Sequence, residues 1–256
     1  DLCEQEKEHI FEPWGSLMIL EDGGVLLEGQ AIRKEYLSLE GKFPICEKTE
    51  NVLVLDYCDY YFDGELQEKN GYVLNIAERA NKLERAVKIC QKYHVKVGYL
   101  PQSLYLVCET PGIFEISVNG QLISKEDCGY YVDSSFRKIP IAEYLVIGDN
   151  VITFDCNYEQ SQQFYENLRY AHIFETERNK LTYDMEIEAV YLVGDFSVTT
   201  DGEWQPLPEN IMRYSGDFVI SAPATEIELA DIEKQGFPFF CGSITVSKEV
   251  EIGKNT

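Results

Sequence analysis

Aromatic side chains next to polar turn residues are the features of this sequence best suited to ligand chemistry. Trp204 follows the turn sequence Asp201-Gly202-Glu203, Trp14 lies near the start of the chain, and Tyr130-Tyr131 precedes Asp133. An aromatic ring stacks on the apolar C–H face of a sugar, and a neighbouring carboxylate fixes the sugar hydroxyls. The sequence therefore predicts a glycan as ligand, with ordinary core packing as the alternative for each ring. The candidate glycan-binding residues are Trp204, Trp14, Tyr130, Tyr131 and Asp133.

Hydrolysis of a glycosidic bond needs two carboxylates at a fixed separation. The chain has 45 acidic residues, so it contains many possible pairs and singles out none. Glu109, at the end of an apolar run, and Asp195, after Gly194, are candidates from local context, and both are also typical strand-end turn residues. Nucleophile elbows, phosphate-binding loops and His-Glu-x-x-His motifs are absent from the sequence. We therefore assign no catalytic residue.

The eight cysteines do not form a metal-binding pattern. They include no Cys-x-x-Cys pair and have no histidine at ligand spacing, so the sequence predicts neither a metal site nor a cofactor. Cys108 and Cys156 share predicted strand faces with aliphatic and aromatic residues, which indicates small core side chains. Unpaired cysteines and the lack of a visible signal peptide favour the cytoplasm slightly, but the location stays open.

The charge balance narrows the choice of partners. With 45 acidic and 22 basic residues the formal net charge is −23, which repels nucleic acids and anionic membranes. No apolar run approaches the roughly 20 residues of a membrane span. A neutral glycan or oligosaccharide is unaffected by this charge, so it remains the predicted partner, and neither nucleic acid nor membrane is expected.

Alternating strands and tight turns dominate the pattern of the sequence. Residues 114–118 alternate between apolar and polar, and Asn119-Gly120 is typical of a type I′ hairpin turn. A second turn at Gly148-Asp149-Asn150 leads into the strand 151–154. Strands are also predicted in five further segments: 52–58, 104–109, 187–193, 225–229 and 244–252. The sequence thus predicts a mainly β protein with an antiparallel β-sandwich of the jelly-roll, galactose-binding-like type.

One amphipathic helix is predicted at about 74–92. Its apolar stripe recurs at helical spacing through Ile76, Ala80, Leu83, Val87 and Cys90. The polar segment 157–168 is predicted to be a linker or a long loop. The expected organisation is an N-terminal segment with short strands over 1–50, packing on a sandwich over 51–160. Further strands over 161–256 would form a second sandwich or complete the first, and the gene product is expected to extend beyond them.

Several short sequence segments, taken in their order along the chain, resemble the non-catalytic β-sandwich region of family 106 (α-L-rhamnosidase-like) glycoside hydrolases. They are NVLVLDYC from Asn51, SLYLVCE from Ser103, FEISVNG from Phe114, VYLVGDF from Val190 and GFPFFCGS from Gly236. The stretch 114–156 is also similar to the sugar-binding jelly roll of family 2 glycosidases and to galactose-binding-like domains. The positions that match those motifs are best interpreted as turn and loop builders: Asn119, Gly120, Asp133, Gly148 and Asn150.

This resemblance implies that catalytic carboxylates belong to a (β/α)₈ barrel, and the helix pattern here does not fit a barrel. The leading hypothesis is therefore an accessory β-sandwich portion of a glycoside hydrolase that supports glycan binding, with a catalytic domain of the same gene product as partner. A stand-alone carbohydrate-binding module is the alternative, as is a structural or cell-surface protein-interaction domain without a glycan ligand. A self-sufficient enzyme ranks last.

Overall fold

The computed structural model describes residues 41–249 and, before them, three short strands. These are β1 (Leu17–Ile19), β2 (Val25–Leu27) and β3 (Gln30–Ile32), which pair antiparallel in that order. Contacts divide the protein into two units, 1–41 and 42–256. Trp14, a candidate for glycan binding, lies outside the described residues, as do Cys3 and the last part of the strand predicted over 244–252.

The second unit is built mainly from strands. In sequence order they are β4 (Phe43–Lys48), β5 (Asn51–Leu55), β6 (Tyr57–Phe62), β7 (Glu65–Tyr72), β8 (Val87–Val97), β9 (Leu104–Glu109), β10 (Glu115–Val118), β11 (Gln121–Leu122), β12 (Tyr130–Tyr131), β13 (Asp133–Pro140), β14 (Gly148–Tyr158), β15 (Val190–Gly194), β16 (Ser197–Thr200), β17 (Glu203–Pro206), β18 (Met212–Ser215), β19 (Phe218–Ser221), β20 (Glu226–Ile227) and β21 (Ile244–Val246). The helices are α1 (Leu74–Asn81) and α2 (Gln162–Ile173), with short 3₁₀ turns at Pro111–Ile113, Ala142–Tyr144, Glu175–Lys180, Pro208–Asn210 and Ile232–Gln235.

Two sheets face each other across the main core. The larger runs β11-β10-β14-β8-β19-β16, with β6 and β7 joined to β8, and the smaller runs β12-β13-β9-β15-β5. The buried core joins Leu106 and Leu192 of the smaller sheet to Ile89, Tyr93 and Phe154 of the larger one. Among the described strands, every pairing is antiparallel except that of β19 with β8. The predicted mainly β, antiparallel β-sandwich is confirmed.

Smaller groups of strands flank the sandwich. β4 pairs with β20 and β21, and β17 and β18 form a hairpin. The outer face of the smaller sheet carries its own apolar cluster, in which Val52, Val107 and Val193 are buried. Strands from both sides of residue 160 pair with each other, as β5 does with β15. The predicted divisions at 50 and 160 stay predictions.

The hairpin predicted at Asn119-Gly120 is present. Both residues have positive φ, 52° and 79°, as a two-residue turn of this type requires, and Val118 pairs with Gln121 across it. Cys108 and Cys156 are buried in the main core, as predicted. The apolar run 52–58 is divided at Asp56, where the backbone leaves β5 in one sheet and enters β6 in the other.

The helix predicted at about 74–92 is wrong in its second half. α1 ends at Asn81, and Glu84 adopts a positive φ of 49° that a continuing helix does not allow. From Val87 to Val97 every second side chain is buried, so this segment is β8, and Cys90 lies on a strand. The apolar stripe that predicted this helix continues from α1 into β8, so its last two members, Val87 and Cys90, fit a helical spacing although they lie on a strand.

The structure also contains a helix that the sequence analysis assigned to a linker or loop. Ser161 caps α2, because its hydroxyl accepts a hydrogen bond from the Phe164 N–H at 3.3 Å. Phe164, Tyr165 and Ala171 are buried along one side of this helix. Both the capping serine and the spacing of the apolar residues are present in the sequence. The loop was predicted instead because the residues from Asn157 to Gln163 are mostly polar.

Candidate functional site

The two edges of β8 are paired very differently. On one edge β14 pairs with the strand over its whole length, from Val87 to Val97. On the other edge β6 pairs with Ile89–Lys92 and β19 with Lys96 and Val97. In the described part of the protein, residues 93–95 therefore have no strand partner on this second edge.

The backbone of His94 faces this gap. The Lys88 C=O accepts a hydrogen bond from the Asp63 N–H at 2.8 Å, and the Gly98 N–H donates to the Ile220 C=O at 2.8 Å. Both bonds lie on the second edge of β8. Because alternate residues of a strand direct N–H and C=O to the same edge, those of His94 point into the gap as well. A backbone donor and a backbone acceptor are thus presented side by side.

A cleft of about 970 Å³ opens at this gap. Its walls come from β5 and β6, from β19 and the β17–β18 hairpin, and from residues 233–239. We call it the β8 cleft. Its lining includes Asp56, Tyr57, His94, Trp204, Tyr214 and Phe239.

Aromatic rings in tilted and edge-to-face contact form one wall of the β8 cleft. Trp204 and Tyr214 face each other across the hairpin with ring centroids 4.8 Å apart. Tyr214 lies 4.6 Å from Phe218, which lies 5.1 Å from Phe239. The ring of Trp204 is half-buried, and its indole N–H lies 3.4 Å from the Thr200 hydroxyl. Such a partly open aromatic surface suits the C–H face of a sugar ring.

The hairpin that carries Trp204 is held in place by the Tyr214 hydroxyl. This oxygen accepts hydrogen bonds from the N–H groups of Asp201 and Gly202 at 3.0 and 2.9 Å and donates to the Asp217 C=O at 2.9 Å. Gly202 is required for this packing, because a Cβ atom there would lie 1.9 Å from the Ser215 carbonyl oxygen. Trp204 follows the predicted turn and lies in β17 itself.

Polar side chains at the gap are oriented by β6 and β7. The Asp59 carboxylate accepts a hydrogen bond from the Asn70 N–H at 2.8 Å and lies 3.1 Å from His94 Nε2. Burial alone would raise the pKa of Asp59, but these two hydrogen bonds lower it below its ordinary value. Asp59 therefore remains ionised and fixes the His94 imidazole at the cleft wall.

Asn150 also lines the cleft, where it pairs with Val95 across β14 and β8, and it is nearly fully buried. Its side-chain oxygen accepts hydrogen bonds from the Val146 N–H at 2.9 Å and from Asn119 Nδ2 at 2.8 Å. Its Nδ2 donates to the Val146 and Gly148 carbonyl oxygens at 2.8 and 3.0 Å. This amide has no free polar atom for a ligand, so Asn119 and Asn150 act here as the loop builders that the sequence predicted.

The other described candidates for glycan binding, Tyr130, Tyr131 and Asp133, are not among the lining residues of this cleft. Tyr130 is exposed on β12, and Tyr131 packs on the outer cluster of the smaller sheet with its hydroxyl buried and without a hydrogen-bond partner. The Asp133 carboxylate accepts hydrogen bonds from the N–H and hydroxyl of Ser135, both at 2.8 Å, and these lower its pKa. Asp133 thus builds its own turn, and Trp204 is the described candidate that lines a cleft.

The two candidate carboxylates for hydrolysis lie at separate places. Asp195 forms an ion pair with Lys48 at 2.5 Å on the surface. Glu109 lines a second, smaller cavity of about 200 Å³ together with Glu186 and Glu188. Burial, and then the charges of Glu186 and Glu109, raise the pKa of Glu188. Glu109 and Asp195 therefore do not form a pair across one cleft.

His94 and Asp56 are the site residues that sequence reasoning missed. The alternation of Lys88, Lys92, His94 and Lys96 with buried apolar residues marks the outer face of a strand and was the available signal. The interruption of pairing beside His94 depends on where the pairing of β6 ends and that of β19 begins, which the pattern within β8 does not encode.

Among the described residues, no cluster of His, Cys, Asp or Glu is placed to hold a metal ion. The seven described cysteines are all free thiols. In the same part of the protein, neither helix is long and apolar enough to cross a membrane.

Comparisons with known proteins identify no family for this sequence. No protein-family model matches it, and no curated protein is significantly similar in sequence. A solved structure of a β-D-glucuronidase from Dictyoglomus thermophilum is similar to it with 14% identity and a TM-score of 0.31, over 69% of this chain and 34% of that one. The chain thus spans about a third of the length of that neighbour. This neighbour is a glycoside hydrolase, but so slight a likeness supports no conclusion about activity, and no comparison points to family 106.

Proposed function

We propose that the protein is a glycan-binding β-sandwich, and that the β8 cleft is its binding site. The observation that carries this proposal is the half-buried Trp204–Tyr214 wall facing the unpaired backbone and imidazole of His94. A sugar ring stacked on the wall would direct its hydroxyl groups toward these donors and acceptors. Aromatic platforms combined with a few fixed polar groups are the usual chemistry of sugar recognition.

The wider role that we infer is that of an accessory portion of a glycoside hydrolase. It rests on the short sequence segments that resemble, in the same order, the sandwich region of family 106 enzymes. Glu109 and Asp195 lie apart, which favours binding over hydrolysis within the described residues. The intact mass of the native gene product tests this role. A mass far above 29.4 kDa supports it, and a mass equal to that value refutes it.

Glycan binding is tested with the Trp204→Ala variant. We expect the native protein to bind at least one glycan on an array, and the variant to bind that glycan about tenfold more weakly or worse by calorimetry, because a central aromatic contact is lost. Tyr130→Ala is the matched control, because it removes an exposed ring outside the β8 cleft. It should leave the affinity unchanged.

Two results would refute the binding proposal. One is a native protein that binds no glycan on the array, which would favour the alternative of a protein-interaction domain. The other is a Trp204→Ala variant that is folded by circular dichroism and retains full affinity. In that case the glycan site lies elsewhere on the molecule.

A further inference from the structure

The charges around the β8 cleft are strongly unbalanced. The carboxylates of four residues line it, while Lys96 is the one lysine or arginine among its described lining residues; the four are Asp56, Asp149, Asp217 and Glu233. Lys96 is already in an ion pair with Asp217. The His94 imidazole is turned toward Asp59. A ligand in this cleft therefore meets an excess of negative charge and no free cation from the described lining residues.

Asp56 differs from the other carboxylates of the cleft. It stands where the backbone passes from one sheet to the other, between β5 and β6, and it is half-buried. Within the described residues its carboxylate has neither a hydrogen-bond donor nor an ion-pair partner, although its backbone carbonyl oxygen accepts a hydrogen bond from the Val73 N–H at 2.9 Å. Burial raises the pKa of this carboxyl. An unpaired, half-buried carboxylate is costly unless something positive binds to it.

Asp56 and the aromatic wall line the same cleft, and together they suggest what that positive group is. A small inorganic cation would be held by several carboxylates, but no such cluster exists among the described residues. The cleft is instead lined by aromatic rings and Asp56 together, which suits an amine carried on an apolar ring face. Amino sugars have this chemistry, and uronic acids have the opposite charge.

We propose that the β8 cleft selects glycans by charge: it binds a sugar with a free amine, held by Asp56, more tightly than the neutral sugar, and disfavours the uronic acid. This inference rests on the proposed glycan-binding function and adds the ligand class. One unscreened opposite charge at about 4 Å in water is worth about 1 kcal/mol, or roughly fivefold in affinity. A ligand carboxylate near the same group loses a similar factor.

The experiment compares the amino sugar, the neutral sugar and the uronate as methyl glycosides of matched stereochemistry, in gluco, galacto and manno series. Dissociation constants are measured by NMR titration at about pH 6, where a sugar amine is protonated. We expect the amino sugar to bind about fivefold more tightly than the neutral one, and the uronate to bind most weakly. Asp56→Asn should bring amino and neutral sugars within about twofold of each other while the neutral sugar keeps its affinity. Asp195→Asn, which makes the same change in net charge away from the cleft, should keep the native preference.

The outcomes separate this inference from the function on which it rests. If the neutral sugar binds but the amino sugar binds no better, the charge selection is wrong and the glycan site stands. A preference that survives Asp56→Asn also overturns it. If no sugar of the three series binds while the array still shows a bound glycan, this inference fails and the glycan site stands. If the array shows no bound glycan either, the proposed function fails and this inference fails with it.

Discussion

The two edges of β8 show how one strand serves both the core and the candidate site. Along the β14 edge eleven residues pair without interruption, and the rings of Tyr93, Phe114 and Phe154 pack edge to face at 5.6 and 5.2 Å in the core beside it. Along the other edge pairing stops for three residues, and polar groups and the β8 cleft occupy the space. The difference teaches that a binding site can arise where a sheet is left incomplete, while the complete edge maintains the fold.

Phe154→Ala should have the largest effect, because it removes a fully buried ring from the complete edge. We expect a loss of about 3–5 kcal/mol in the free energy of unfolding, measured by urea denaturation. Phe218→Ala is the matched variant at the interrupted edge, where the ring is only half-buried. It should cost less than half as much. Equal losses would mean that the two edges do not differ in their contribution to stability.

Asn150→Ala tests how much the buried hydrogen bonds near the start of β14 contribute to the free energy of unfolding, compared with apolar packing. The change deletes four hydrogen bonds and leaves the backbone groups of Val146 without their partner. We expect a loss of about 2 kcal/mol in unfolding free energy by urea denaturation. Asn157→Ala, at an exposed position of the same strand, is the control and should be nearly neutral. A neutral Asn150→Ala variant would show that the loop it anchors is stable without it.

Asp59→Asn should have the smallest effect on stability and a distinct dependence on pH. Because the pKa of Asp59 is lower in the folded protein than its ordinary value of 3.8, its stabilisation is present above that value and is lost as the pH falls through the folded pKa. The variant should lose about 1 kcal/mol of unfolding free energy at neutral pH and lack this part of the acid dependence.

Urea denaturation of both proteins across the acid range checks that prediction. The two stability curves should converge as the pH falls below 3.8. Parallel curves would show that the ionisation of Asp59 does not stabilise the interrupted edge.

Local patterns in the sequence predicted those elements of the fold that are determined within a few residues. The hairpin at Asn119-Gly120 and the strand 104–109 follow from turn chemistry and alternation within a few residues. The helix was predicted too long because the stripe from Ile76 to Cys90 crosses from a period of 3.6 to a period of two at Glu84. α2 was missed because its apolar face follows a polar segment.

Of the candidate glycan-binding residues selected from the sequence, only Trp204 lines the β8 cleft among those that the structure describes. Trp204 was selected because it follows a turn, and it lines the β8 cleft; its role in glycan binding stays a prediction. For His94 the alternation along β8 marks only an outward-facing strand position, and Asp56 has no local signal of a site. Their roles depend on which strands meet β8, and a sequence of 256 residues does not reveal that pairing without long-range information. Tyr130, Tyr131 and Asp133 fitted the same local rule as Trp204, yet they lie elsewhere.

The parallel pairing of β19 with β8 has a consequence for how the site is assembled. The Lys96–Asp217 ion pair beside it joins residues 121 positions apart in the sequence, whereas β6 and β8 are near neighbours. Closing so long a loop has a high entropic cost, which slows the pairing of β19 with β8. We therefore expect β6, β8 and β14 to form a hydrogen-bonded unit before β19 and the Trp204 hairpin pack against it. The same order applies in reverse to partial unfolding. A fluctuation that releases residues 197–221 would remove most of the aromatic wall of the β8 cleft and leave those three strands paired, so the candidate site would be lost before the sheet that carries it.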